Sequence, residues 1–80
     1  MSVQAYIMMN VKTGAEDQVC SQILKFSEVE EVAVIYGEYD LIVKVKAKDM
    51  NSLDKLIVDK MRGISDILLT ATMLIAKEYK

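Results

Sequence analysis

The side chains best placed to do chemistry in this chain are gathered in Tyr36-Gly37-Glu38-Tyr39-Asp40. Glycine takes a positive φ without steric cost, so the chain can reverse at Gly37. A phenol and a carboxylate follow it, at Tyr39 and Asp40. Asp40 can face an ammonium group or orient the loop around one. Tyr39 can wall the site, and the main-chain amides around Gly37 and Glu38 can hold a carboxylate. The plainer alternative is turn chemistry, because aspartate is common in turns and bonds nearby amides. A second polar pair, Thr70 and Thr72, sits two residues apart late in the chain, projecting to one side of an extended run. Paired hydroxyls can donate to a carboxylate, although threonine is also simply a good strand former. Both groups point to a small polar molecule.

Other chemistries find no support. Histidine is absent, which removes the commonest general base and the commonest metal ligand. The single cysteine, Cys20, excludes an internal disulfide and any Cys-x-x-Cys metal or redox site. It lies on or beside an apolar helical stripe, where a buried, inert thiol is expected. No metal site and no cofactor are expected. Lys44, Lys46 and Lys48 share one strand face and could in principle touch phosphates. With a net charge of −2, a solvated rim is the better account, with nearby acids pairing to the lysines across a subunit boundary. Direct nucleic-acid binding is not expected. A lone reduced thiol suits the cytoplasm. The start, Met1-Ser2-Val3-Gln4-Ala5, carries no basic segment of a signal peptide. The charge-free run Ile67–Ala76 is about half of what spans a bilayer.

The elements that must position these groups follow from periodicity. Val3–Val11 alternates with one apolar face, a strand. Thr13-Gly14-Ala15-Glu16 has the form of a capping box, opening a helix over roughly Ala15–Phe26. Its stripe is Ala15, Val19, Ile23 and Phe26, widened by Cys20 and Leu24. Ser27–Glu31 reads as a polar connector, and Val32–Tyr36 as a short strand before the Gly37 turn. Leu41–Lys48 alternates again, completing a hairpin with the opening motif at its tip. Asp49, Asn51 and Ser52 are competing N-caps for a second helix to about Arg62, stopped by Gly63. Ile67–Ala76 is the last strand, with Ile67, Leu69, Ala71, Met73 and Ile75 on one face and the intervening residues on the other.

The order β-α-β-β-α-β, with right-handed crossovers, gives a four-stranded antiparallel sheet in the order 4-1-3-2 with both helices on one face. This α+β arrangement is the ferredoxin-like fold, of the dimeric α/β-barrel type, and residues 1–80 form one domain. A lone domain this short is marginal, yet 52% of its residues are hydrophobic. The sheet face away from the helices is expected to carry Tyr6, Met8, Ile42, Thr70, Thr72 and Leu74, too apolar to stay bare. Burying ~600 Å² of it contributes roughly 15 kcal/mol before the costs of association. Face-to-face or edge-to-edge packing of two copies follows. The hairpin tip and the later part of the last strand are expected at the same end of the sheet but on opposite edges, so a shared pocket needs a second copy.

Tyr36-Gly37-Glu38-Tyr39-Asp40-Leu41-Ile42-Val43-Lys44-Val45, then Gly63-Ile64, then Leu69-Thr70-Ala71-Thr72-Met73-Leu74 resembles the effector domain of the leucine-responsive regulator/AsnC transcription factors. That module is also called RAM, for regulation of amino-acid metabolism. The Gly-x-Tyr/Phe-Asp turn and the Thr-x-Thr strand carry the resemblance, which extends from Ala5 to Ile75. Full-length members bear an N-terminal helix-turn-helix, and this sequence begins directly at the first strand, like a stand-alone RAM domain. The resemblance implies a protomer that dimerises through its sheet and assembles into an octamer or similar ring. It implies a free amino acid or similar effector in clefts between subunits, held by Gly37, Glu38, Tyr39, Asp40, Thr70 and Thr72. A full-length family regulator is a further implied partner. The expectation is a non-enzymatic regulatory module. The alternatives are a small dimeric α/β-barrel enzyme, for which acid–base groups are scarce, and a purely structural oligomerisation module.

Overall fold

In the computed structural model, which describes residues 2–80, strand β1 runs Val3–Val11. Its alternate residues Ala5, Ile7, Met9 and Val11 are buried, as the period of two requires. Helix α1 spans Glu16–Ile23 and is shorter than its stripe suggested. Beyond Ile23 the bonds tighten, with Lys25 N–H donating to Gln22 O and Phe26 N–H to Ile23 O. Leu24 is left 64% exposed, outside the stripe. The expected capping box is displaced. Ala15 is the N-cap, with no side-chain bond, and the Glu16 carboxylate instead accepts the Gly14 amide at 2.9 Å. The chain turns at Gly14 (φ 86), and that turn brings the Gly14 amide, rather than that of Thr13, to the carboxylate.

Strand β2 occupies Val29–Val34, earlier than the expected Val32–Tyr36, and β3 occupies Leu41–Ala47. The polar stretch before Val32 belongs to the sheet because a register shift between Val29 and Glu31 accommodates one extra residue, Glu30. Helix α2 covers Met50–Lys55. Among the competing caps, Asp49 is the one used, its Oδ1 accepting the Ser52 amide at 2.8 Å. The helix then widens into a π turn over Leu56–Met61, closed where Arg62 N–H donates to Ile57 O at 3.0 Å. Strand β4 spans Ile67–Leu74.

The strands lie in the order β2-β3-β1-β4, all antiparallel, with the helices on one side. Ile7, Met9, Val43 and Val45 of the sheet meet Val19, Ile23, Leu53, Leu56 and Met61, all fully buried or nearly so. No polar or charged residue is buried among the described residues.

One expectation about the sheet is overturned. Asn10 pairs with Leu69 and Val11 with Ile67, which leaves Leu68 as a bulge. Directly opposed residues share a face, so Thr70 (opposite Met9), Thr72 (opposite Ile7) and Leu74 (opposite Ala5) lie on the helix side. Leu69, Ala71 and Met73 take the open face, with Tyr6, Met8 and Ile42. One inserted residue exchanges the faces of everything after it. The open face also carries Lys44, whose Nζ lies 3.0 Å from Glu78 Oε2 of the same chain and 5.8 Å from the centre of the Tyr6 ring. The Lys44 partner is thus intramolecular, and the chain end folds back over the sheet.

Candidate functional site

Because β1 runs antiparallel to both neighbours, its C-terminal end meets the start of β3 and the start of β4. The hairpin loop 35–40 therefore sits at the end where β4 begins, not where it ends, and only β1 stands between β3 and β4. Two clefts open at this end of the molecule.

The hairpin cleft encloses about 440 Å³ and is lined by Val11, Thr13, Glu16, Asp17, Val34, Ile35, Tyr36 and Asp40. Its position comes from a clamp on the loop. Asp40 N–H donates to Met9 O at 2.9 Å, Ile35 N–H donates to Asp40 O at 2.9 Å, and Asp40 Oδ2 accepts the Val11 amide at 2.9 Å. Asp40 thus does the turn work that its residue type allows, and it also lines the cleft. Gly37 has φ 147, a region open to glycine and costly for other residues, so the loop's path depends on it. The floor is apolar, from Val11, Val34 and Ile35. The walls carry the carboxylates of Glu16, Asp17 and Asp40, the Thr13 hydroxyl and the Tyr36 phenol. Such a lining favours an ammonium group attached to an aliphatic body.

The second cleft encloses about 370 Å³ beside the free edge of β4, lined by Arg62, Ile67, Leu68, Leu69 and Thr70. Of the six residues singled out in the sequence, Asp40 lines the first cleft and Thr70 the second. Gly37 and Glu38 are exposed at the loop, and Tyr39 is half-buried. Thr72 is exposed on the helix side and lines neither cleft. One chain does not bring the hairpin residues and the two threonines into one pocket. Sequence inspection missed Thr13, Glu16 and Asp17 as cleft walls, because they lie far from Asp40 in the chain and carried a helix-start signal. Tyr36 stands in the stretch singled out from the sequence but had no role of its own there, and it lines the cleft.

Cys20, half-buried, has its thiol pushed up by burial and then by the charges of Asp17 and Glu16, the setting of an unreactive thiol. Asp49 is held below the usual carboxylate range by the Ser52 amide and hydroxyl. Among the described residues, no cluster of three or more acidic or cysteine side chains is arranged to hold a metal ion. No helix among them is long and apolar enough to cross a membrane.

Comparison with known proteins gives a consistent result. Residues 4–80 match the family model described as the Lrp/AsnC ligand binding domain. The HTH-type transcriptional regulator FL11 of Pyrococcus furiosus is 32% identical over 79 residues, 99% of this chain and 52% of the regulator. The chain spans about half the length of the curated relatives it matches first. Among solved structures, a hypothetical protein, PHS023 from Pyrococcus horikoshii, is 42% identical with a TM-score of 0.89, over 96% of this chain and 93% of that one. The transcriptional regulator NMB0573 from Neisseria meningitidis, solved as its L-Met complex, has a TM-score of 0.91 at 21% identity, over 98% of this chain and 52% of that one, a likeness of fold.

Proposed function

The chain belongs to the Lrp/AsnC ligand-binding-domain family, and on that premise we propose that it binds a free amino acid and passes that binding state to a transcriptional regulator. The family and its named relatives are regulatory rather than enzymatic. The observation that carries the finer proposal is the composition of the hairpin cleft, with carboxylates above an apolar floor. An α-ammonium group would sit against Asp40 and Asp17, and an aliphatic side chain against Val11, Val34 and Ile35. The α-carboxylate would be held by the amides around Gly37 and Glu38, with Tyr39 beside them. Thr70 and Thr72 would come from a second copy, because within one chain they lie away from this cleft.

Assembly supports the same proposal. Leu69 and Met73 are 54% and 50% exposed on the open sheet face, beside the half-buried Tyr6, Met8 and Ile42. A second copy would cover them, and a ring of dimers would set hairpin clefts at subunit boundaries. A full-length family regulator is a further partner in this scheme, and the cytoplasm is the compartment that suits it.

Calorimetric titration with the twenty amino acids tests the proposal. At least one aliphatic amino acid is expected to bind, and Asp17→Asn to weaken it. A folded oligomer that takes up no heat from any of the twenty would refute ligand sensing and leave a structural module.

A further inference from the structure

We propose that Glu78 is the counter-ion that lets a second copy cover the open sheet face, so that the segment after β4 becomes part of the dimer interface; this rests on the reading that the open face joins two copies. Lys44 is the middle residue of β3 and stands opposite Tyr6 of β1. β3 and β1 are the two inner strands of the sheet. The centre of the open face is therefore an ammonium group, set among Tyr6, Met8, Ile42, Ala71 and Met73. Any second copy that stacks on the sheet takes this group out of water. A two-fold interface centred on the face also sets the two Lys44 side chains near each other. Unpaired, each would be a buried charge, and desolvation would oppose association.

The chain supplies the partner itself. The Ile75 amide bonds Gln4 O of β1 at 2.9 Å, the chain bends at Ala76, and Glu78 Oε2 lies 3.0 Å from Lys44 Nζ. Passing from β4 over β1 to β3 crosses two strand spacings, about 10 Å. Three extended residues span about 10 Å, so a carboxylate at Glu78 is within reach of Lys44. The Lys44 side chain is left only 15% exposed. Glu31 stands opposite Lys44 on β2, yet it makes no ion pair among the described residues. The two partners are held unequally. Lys44 is fixed by an inner strand, whereas the segment carrying Glu78 makes no main-chain bond to the sheet beyond Ile75 among the described residues. Deprived of its partner, Glu78 can turn to water, and Lys44 cannot leave the face. In a lone chain the pair is open to solvent and contributes little to the fold. Its effect appears when the face is covered.

The test is the dimer dissociation constant of the whole chain, measured by sedimentation over a dilution series, with circular dichroism to confirm folding. Glu78→Gln is expected to raise it by at least about tenfold, because breaking a covered pair strands the cation. Lys44→Met should leave it unchanged or lower it, and adding Lys44→Met to Glu78→Gln should cancel the loss. Asp54→Asn removes an equal charge from the exposed side of α2 and should change nothing. Dimers of Glu78→Gln as tight as those of the unaltered chain, or tighter, would overturn the proposal. So would a double variant no tighter than Glu78→Gln alone. Met73→Asp separates this outcome from failure of the interface itself. If Met73→Asp dissociates the dimer and Glu78→Gln does not, the face stands and the counter-ion falls. If Met73→Asp leaves the dimer intact, both fall.

Discussion

The Asp40 carboxylate accepts the main-chain amide of Val11 at 2.9 Å, joining positions 29 residues apart. With the Asp40 amide on Met9 O, it pins the hairpin loop to the end of β1. Removing a charged acceptor from a part-buried amide costs about 1–2 kcal/mol. Asp40→Ala is therefore expected to lower stability by that amount in urea unfolding and to weaken amino-acid binding as well. A variant that binds poorly at unchanged stability would show that the clamp contributes little to the fold.

Gly37 holds φ 147, and a Cβ built on it meets no atom within 4 Å. The cost of a side chain there is purely conformational. Gly37→Ala is expected to destabilise by about 1–3 kcal/mol and to loosen the loop. Equal or higher stability by thermal unfolding would mean that the loop relaxes without penalty.

Asp49 caps α2, and its carboxyl is held below the usual range by the Ser52 amide and hydroxyl. A folded pKa below the unfolded one stabilises above the unfolded value, about 3.9, and that contribution is lost as pH falls through the folded value. The melting temperature should therefore drop as pH is lowered below about 4. Asp49→Asn, which caps without titrating, should flatten this part of the profile. Identical acid limbs in the two proteins would remove Asp49 from the account.

Met73 lies on the open face opposite Tyr6 and is 50% exposed. If that face joins two copies, Met73→Asp should shift the sedimentation profile towards monomer. Val58→Asp, at an exposed helix position, should leave it unchanged. Dissociation by both variants, or by neither, would move the interface elsewhere.

Much of this architecture is written in alternation. Ala5, Ile7, Met9 and Val11 in β1 and Leu41, Val43, Val45 and Ala47 in β3 each specify one buried face, and the strand order follows from the sequence of elements with right-handed crossovers. In β4 the signal fails for a physical reason. Ile67, Leu68 and Leu69 are all apolar, so no polar residue marks the skipped position, and a bulge there is invisible. Glu30 and Glu31 hid the start of β2, because charges on an edge strand with a register shift look like a connector. The π turn was hidden by Ile57 and Val58, which continue an apolar helical pattern. Within the site, Asp40 was legible because glycine precedes it by three residues. Thr13, Asp17 and Arg62 were not, because each had a sufficient local role at a helix end.

The fold-back of the chain end has a practical consequence. The Ile75 amide bonds Gln4 O at 2.9 Å, and Glu78 reaches Lys44 in the middle of the open face. The carboxyl terminus is thereby tethered over the surface that other copies would cover. A small fluorophore attached near Lys80 would report when that surface becomes occupied. A bulky fusion attached at the same point would compete for it.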